Sequence, residues 1–338
     1  MPILANLPKL KTLVMKQIPS RSVQGFLHNT IDYAGLFPPA SLNLEESLDN
    51  FAGYLIGPQS WMLSKFVCPF RKTKELSLLP GFKSSRNKIR LSLLSTSSLK
   101  TDEFIQFFTD DMLSFRELPD EFHNKSVFET IELKFPLELI EKNSKDSIRI
   151  FLDSLSEIVK EHFNHRIFIF CELPVIGDFD HNLKNTVKEI CEHNEAFNDA
   201  GFKLRTGGTD LSDFPSPDII VSTMRQCLVH KVTLKFTAGM HHPIRHHDTN
   251  LKTMMHGFIN VFGAGILAFR HAISDRELRE MISDEDPTNF KFSDDAFEWR
   301  EWKSDTEEIH GARNGLVLSF GSCSFDEPVE DLKKLRLI

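Results

Sequence analysis

Short runs of apolar and β-branched residues, each followed by a longer stretch with helical spacing, recur along the chain about every 30 to 40 residues. Eight such runs occupy 26–33, 61–68, 88–95, 127–134, 166–173, 202–205, 232–237 and 316–320. Alternation of this kind predicts βα units and a parallel sheet. Helix starts are marked where chemistry requires them. Asn43 with Glu46, and Ser274 with Glu277, read as capping boxes, and Ser216 before Pro217 as an N-cap before a first helical residue. Eight strands can close on themselves or form an open doubly wound sheet. No GxGxxG turn follows the first strand, so closure is the expectation.

The predicted fold class is therefore α/β: a TIM-like (β/α)8 barrel filling 1–338 as one domain, with an N-terminal extension at 1–24. The region between the seventh and eighth strands is enlarged. Here 251–272 reads as a helix and 274–302 as further short helices, so a helical insertion is expected over 271–312, before the eighth strand.

Composition changes this picture little but narrows the partners. A net charge of -8 and a pI near 6.0 give no broad electrostatic attraction to nucleic acid or anionic lipid, and neither is expected as a partner. Five scattered cysteines without a CxxC pair suit a reducing, cytoplasmic setting rather than a disulfide framework or a cysteine zinc site. Lys9, Lys11 and Lys16 stand near the start, but no apolar core with a small-residue cleavage site follows, so no signal peptide is read. The apolar stretch at 258–269 is broken by Asn260 and nearby glycines, which predicts a buried helix rather than a membrane span. Thirty Phe stand against two Tyr.

Strands of a parallel sheet are covered on both faces and should be almost continuously apolar, so charges within them need a reason. Asp32, Lys65, Glu132, Lys134, Glu172, Lys203, Arg205 and Lys235 all fall inside predicted strands, nearly all in the carboxyl-terminal halves. Period-two alternation puts Lys203 and Arg205 on one face, as it does Glu132 and Lys134, and Thr233, Lys235 and Thr237. Barrel enzymes place their catalytic groups at this end. The alternative is that the charges pair across the barrel or face outward beneath helix ends.

Three segments after the late strands, GFKLRTGG at 201–208, LKFTAGMHH at 234–242 and SFGSCS at 319–324, run from strand into polar or glycine turn. Exposed backbone N–H groups in such turns, beside lysine or arginine, suit a phosphate or carboxylate, with Gly207, Gly208, Gly239 and Gly321 as candidates. A tight turn is the plainer use of each single glycine.

These segments resemble class I aldolases of the deoxyribose-phosphate aldolase type. Those barrels carry a Schiff-base lysine on the sixth strand near a Thr-Gly turn, a second lysine on the seventh before a glycine pair, and a Gly-Ser-rich turn after the eighth. Lys203 with Thr206-Gly207-Gly208, Lys235 with Ala238-Gly239, and Gly321-Ser322 fall in those places. The sequence departs from that pattern at Arg205, at the single glycine after Lys235, and at His241-His242. IDYAGLFPPA, KLRTGG and TAGMHHP also resemble motifs of a bacterial family, a likeness that implies no activity.

The aldolase resemblance implies a lyase acting on a small anionic or phosphorylated carbonyl compound without a cofactor. Lys203 would be the nucleophile, its pKa lowered by desolvation and by nearby Lys235 and Arg205. Asp32, Glu132 or Glu172 would shuttle protons. The turns at Gly207, Gly208, Gly239 and Gly321-Ser322 would hold an anionic tail.

Histidines offer a competing reading. His241, His242, His246, His247 and Asp248 lie in one βα loop, with His256 nearby, and imidazoles at a barrel mouth can bind a divalent metal. A metal-dependent hydrolase or isomerase would use His241, His242 and Asp248, although the spacing matches no established ligand pattern. Without a metal, His241 and His242 remain candidates for acid–base work or anion contact. A third reading is a non-catalytic barrel that binds a small anion. Tyr33, before Gly35-Leu36-Phe37-Pro38-Pro39, reads either as part of a pocket rim or as an ordinary strand end. Cys323 follows the eighth strand, and with no base to assign to it, it reads as packing.

Overall fold

The computed structural model describes residues 18–142, 144–175 and 177–338, so the segment bearing Lys9, Lys11 and Lys16 lies outside the described residues. Thirteen strands follow in chain order. They are β1 (Ile31–Tyr33), β2 (Leu63–Pro69), β3 (Ile89–Leu94), β4 (Ser126–Lys134), β5 (Phe168–Glu172), β6 (Ala200–Arg205), β7 (Leu234–Thr237), β8 (His246–Asp248), β9 (Thr253–Met255), β10 (Phe290–Phe292), β11 (Ala296–Trp299), β12 (Trp302–Asp305) and β13 (Val317–Ser322). Eight of them close a barrel in the order β1-β13-β7-β6-β5-β4-β3-β2, every neighbouring pair parallel. The fold is the expected (β/α)8 barrel.

Each connection carries at least one helix, and the predicted starts appear. The Asn43 side chain accepts from the Glu46 N–H, Ser216 from Ile219, and Ser274 and Glu277 form a reciprocal box. Buried phenylalanines fill the layer between helices and barrel, among them Phe51, Phe66, Phe104, Phe108, Phe115 and Phe122. Phe is apolar throughout, so this shell asks for no hydrogen-bond partner inside it.

Three expectations about secondary structure are corrected. The run at 26–33 is not one strand: Ser20 caps a helix over Arg21–Leu27, and the strand begins only at Ile31. Phe26 is buried by this helix, its ring 5.2 Å from those of Phe292 and Phe297. The segment 251–272 is not one helix. A tight antiparallel hairpin of β8 and β9 turns through Lys252, at φ 52°, and the helix occupies Phe258–Arg270.

The region 271–312 is not all helical either. After a helix at Asp275–Ile282, β10, β11 and β12 form an antiparallel sheet before the helix Thr306–Gly315. Alternation explains it: Phe297 and Trp299 are buried, while Glu298 and Arg300 between and beyond them are not. This sheet packs against the helices Arg21–Leu27, Phe258–Arg270 and Thr306–Gly315. Arg313 stitches the amino end of the barrel together, its guanidinium donating to Thr30 Oγ1 at 2.7 Å and to the carbonyls of His28, Val317 and Leu318.

Among the described residues no helix is long and apolar enough to cross a membrane. Asn260, which interrupts the apolar helix, is a tether. Its amide donates to the carbonyls of Met281 and Asp284 and accepts from the Arg245 N–H.

Candidate functional site

Of the charges expected within the strands, all but Lys134, which is exposed at the end of β4, meet inside the barrel. From strand to strand they alternate in sign, Lys65, Asp32, Lys235, Glu132, Lys203, Glu172, Arg205, each ion-paired with the next. Lys235 Nζ lies 2.6 Å from Asp32 Oδ2 and 2.5 Å from Glu132 Oε1. Lys203 Nζ lies 3.3 Å from Glu132 Oε2 and 3.0 Å from Glu172 Oε2, and Arg205 Nε lies 3.0 Å from Glu172 Oε1. The register produces this directly, because Lys203 is the partner of Lys235 on one side and of Glu172 on the other.

Hydroxyls complete the carboxylates. Ser92 donates to Glu132 Oε1 at 2.6 Å and Ser319 to Asp32 Oδ2 at 2.7 Å, while the Lys65 backbone N–H reaches Asp32 Oδ1 at 3.1 Å. Gly201 makes room for the floor beneath. A Cβ there would stand 2.7 Å from the rings of both Phe168 and Phe170.

Burial and charge compete at every member. Burial pushes Asp32 and Glu132 up, but Lys235 with Lys65 at the first, and Lys235 with Lys203 at the second, outweigh it. Asp32 falls well below the ordinary carboxylate range and Glu132 to about 2. Glu172 is lowered in the same way by Lys203 and Arg205. Burial pulls the Lys235 amine down, yet Asp32 and Glu132 leave it above the usual lysine value. At Lys65 burial prevails over Asp32, and the amine sits below the usual lysine value.

Four cations thus face three carboxylates. The surplus positive charge sits next to a cavity of about 850 Å³ at the carboxyl ends of the strands. Glu132, Lys134, Glu172, Lys203, Arg205 and Thr237 line it, opposite an apolar wall that includes Phe37, Pro38, Pro39, Val67, Leu94 and Met255. Lys235, Asp32 and Lys65 are not among the lining residues. Arg205 is the most open member of the network, with its side chain 40% exposed.

The turn candidates separate. Gly208, Gly239 and Gly321 line the cavity, whereas Gly207 and Ser322 do not. A Cβ on Gly207 would lie 2.6 Å from the Cα of Gly239, itself at φ 76°, so these two glycines exist because two backbones touch. Ser322 is buried and donates to the Ser324 carbonyl at 2.6 Å.

Tyr33 packs outward against Phe51, Tyr54 and Phe66, leaving the rim to Phe37, Pro38 and Pro39. Gly35 is required by that tyrosine: a Cβ would stand 2.3 Å from its hydroxyl oxygen.

The histidine loop does not assemble the expected metal set. His241 Nδ1 lies 3.2 Å from Glu327 Oε2, His242 Nδ1 bonds the Asp331 carboxylate, and Asp248 accepts the N–H groups of Asn250 and Leu251 at 2.8 and 2.7 Å. Among the described residues no group of three His, Cys, Asp or Glu side chains is placed to hold a metal ion. His256 is a structural ring, Nε2 standing 2.7 Å from the Pro215 carbonyl, and burial pushes its pKa down to about 4.

His241 behaves differently. Burial pulls it down, but Cys323 and Glu327 raise it to about 9. The Cys323 sulfur is 3.9 Å from both ring nitrogens, so the cysteine read as packing does have a base beside it.

Lys65 stands among the strand charges read from the sequence, whereas Ser92, Ser319, Glu327 and Asp331 do not, and none of these four carries a signal of its own. No protein-family model matches the chain, and no curated protein matches it. The class is therefore set by fold and geometry alone: a (β/α)8 barrel with a charged cavity at the carboxyl ends of its strands.

Proposed function

We propose that the protein is a lyase of the aldolase kind, forming an imine between Lys203 and a small anionic carbonyl compound. One observation carries the reading. Of the buried lysines in the network, Lys203 is the one that lines the cavity, and it stands between two carboxylates able to move its proton. The charge count supports it. Release of one lysine proton from the network leaves three cations against three carboxylates, and binding of a singly charged anion leaves four charges of each sign.

In this reading Glu132 or Glu172 takes the Lys203 proton, and the neutral amine adds to the carbonyl carbon. The carboxylic acid returns the proton as water leaves. The iminium then draws electrons from the neighbouring carbon–carbon bond, while a carboxylate accepts the proton from the hydroxyl of the departing fragment. Lys235 does not react. It holds Glu132 and Asp32 ionised in the resting site, so both begin as proton acceptors. Arg205 and Lys134 hold the anionic group of the substrate, helped by the turns at Gly208, Gly239 and Gly321.

The charged groups nearest the Lys203 amine are the carboxylates of Glu172 and Glu132, at 3.0 and 3.3 Å. Borohydride reduction with a panel of aldehydes and ketones, followed by peptide mapping, tests the reading. A reduced adduct on Lys203 is expected, and no adduct, or one on a different lysine, would refute it.

A further inference from the structure

The strongest cluster outside the lysine network lies across the same cavity, where Cys323, His241 and Glu327 come together from three segments. His241 follows β7, Cys323 directly follows β13, and Glu327 sits in the first turn of the helix Asp326–Lys334. Glu327 Oε2 faces His241 Nδ1 at 3.2 Å, and the sulfur stands 3.9 Å from both ring nitrogens, so with Nδ1 turned to the carboxylate Nε2 is the one left for the thiol. Ser322 Oγ is 3.4 Å from Nδ1, and Asp331, one turn along the helix, bonds His242 rather than His241. Carboxylate, imidazole and thiol therefore stand in the order that activates a cysteine, the carboxylate fixing the ring and the ring facing the sulfur. All three line the cavity, so an occupant meets the thiol without any rearrangement of the barrel.

Two further candidates carry less. The His193 ring is buried between Asp153 and Asp199, at 2.7 and 2.8 Å, and under the stacked ring of Phe197, so both its nitrogens serve to join two outer helices and the start of β6. Arg313 is consumed by carbonyls at the amino end of the barrel.

We propose that Cys323, His241 and Glu327 form a second nucleophilic site, one that captures the carbonyl carbon of an aldehyde as a thiohemiacetal. The thiolate sulfur forms the new bond to carbon. The carbonyl π pair moves onto oxygen, which takes the Nε2 proton of the imidazolium, and Glu327 keeps the ring oriented through Nδ1. No oxidant, reductant or leaving group enters, so the adduct reverses when the aldehyde is withdrawn. The site does not depend on imine formation at Lys203.

Alkylation by iodoacetamide at pH 7, read by peptide mapping, tests it, with Cys191 as the internal reference because it is the one described cysteine that is not buried. Cys323 is expected to react at least tenfold faster than Cys191, and His241→Asn to slow it at least tenfold. Propanal is expected to protect Cys323, and to go on protecting it in Lys203→Arg, which keeps the charge but forms no imine. Cys323 reacting no faster than Cys191 in the unaltered protein would overturn the proposal without recourse to any variant. Protection that vanishes in Lys203→Arg would overturn it as well, by assigning the propanal effect to the lysine. An unchanged rate in His241→Asn would do the same.

Discussion

Lys203 and Lys235 are direct partners on adjacent strands, yet Glu132 from across the barrel stands between their amines with one carboxylate oxygen turned to each. A single carboxylate thus ties a lysine at the cavity wall to a lysine sealed beneath it. The rest of the network extends from this link.

Removing the sealed cation should be costly. Lys235→Met leaves Asp32 and Glu132 buried and facing each other without their shared partner, and a loss of about 3–5 kcal/mol is expected, the range for breaking a buried pair from one side. Urea denaturation at neutral pH measures it. A loss below about 1 kcal/mol would mean that the carboxylates find other compensation.

Acid should weaken the fold through the same groups. Glu132 is held at about 2 against its ordinary 4.5, so its stabilisation is complete above pH 4.5 and fades as pH falls toward 2. Asp32, lowered in the same direction, adds to the effect. Urea midpoints between pH 2 and 5 should fall more steeply in the unaltered protein than in Glu132→Gln, and parallel curves would contradict the assignment.

His241 predicts the opposite slope on the alkaline side. Its folded value of about 9 lies above the ordinary 6.5, so its stabilisation is complete below pH 6.5 and is lost as pH rises through 9. Melting temperatures from pH 6.5 to 9 should decline less in His241→Asn than in the unaltered protein. Equal declines would show that the ring gains no proton on folding.

Anion affinity should depend on Arg205, the exposed end of the network. Arg205→Gln is expected to weaken binding of inorganic phosphate by about tenfold or more, the loss of one charge-assisted hydrogen bond of about 1.5–3 kcal/mol. Calorimetric titration decides it, and unchanged affinity would place the anion elsewhere.

The touching turns make a packing prediction. Gly207→Ala drives a methyl into the Cα of Gly239, where backbone meets backbone and no side chain can move aside, so about 1–3 kcal/mol should be lost. Gly321→Ala meets only Thr237 Oγ1 at 3.3 Å and should lose far less. Thermal melts of the two variants compare them directly.

The architecture was legible because its signal is periodic. Apolar runs at regular intervals announced the strands, and charges inside those runs, at Asp32, Glu132, Glu172, Lys203 and Lys235, announced the interior network. Ser92 and Ser319 gave no such sign, since a hydroxyl in a strand is unremarkable until the carboxylate it serves has been placed. Glu327 was invisible as the partner of His241 for a different reason: the two meet because β7 and β13 pair side by side, although they lie far apart in sequence. The run at 26–33 misled because buried apolar residues look alike in a helix and a strand, and only the cap at Ser20 separates them. Between 290 and 305 the alternation was present, but helix-forming residues nearby obscured it.

None of the three tryptophans lines the cavity. Trp61 lies in the short turn Ser60–Met62 before β2, and Trp299 and Trp302 belong to the antiparallel sheet of β10, β11 and β12. Intrinsic emission consequently watches that sheet and the start of β2, and a ligand lodged in the cavity, touching no indole, should leave the spectrum unchanged. Fluorescence-detected denaturation would time the loss of that sheet, whereas an indole introduced at Phe37 would give the mouth an optical reporter of its own.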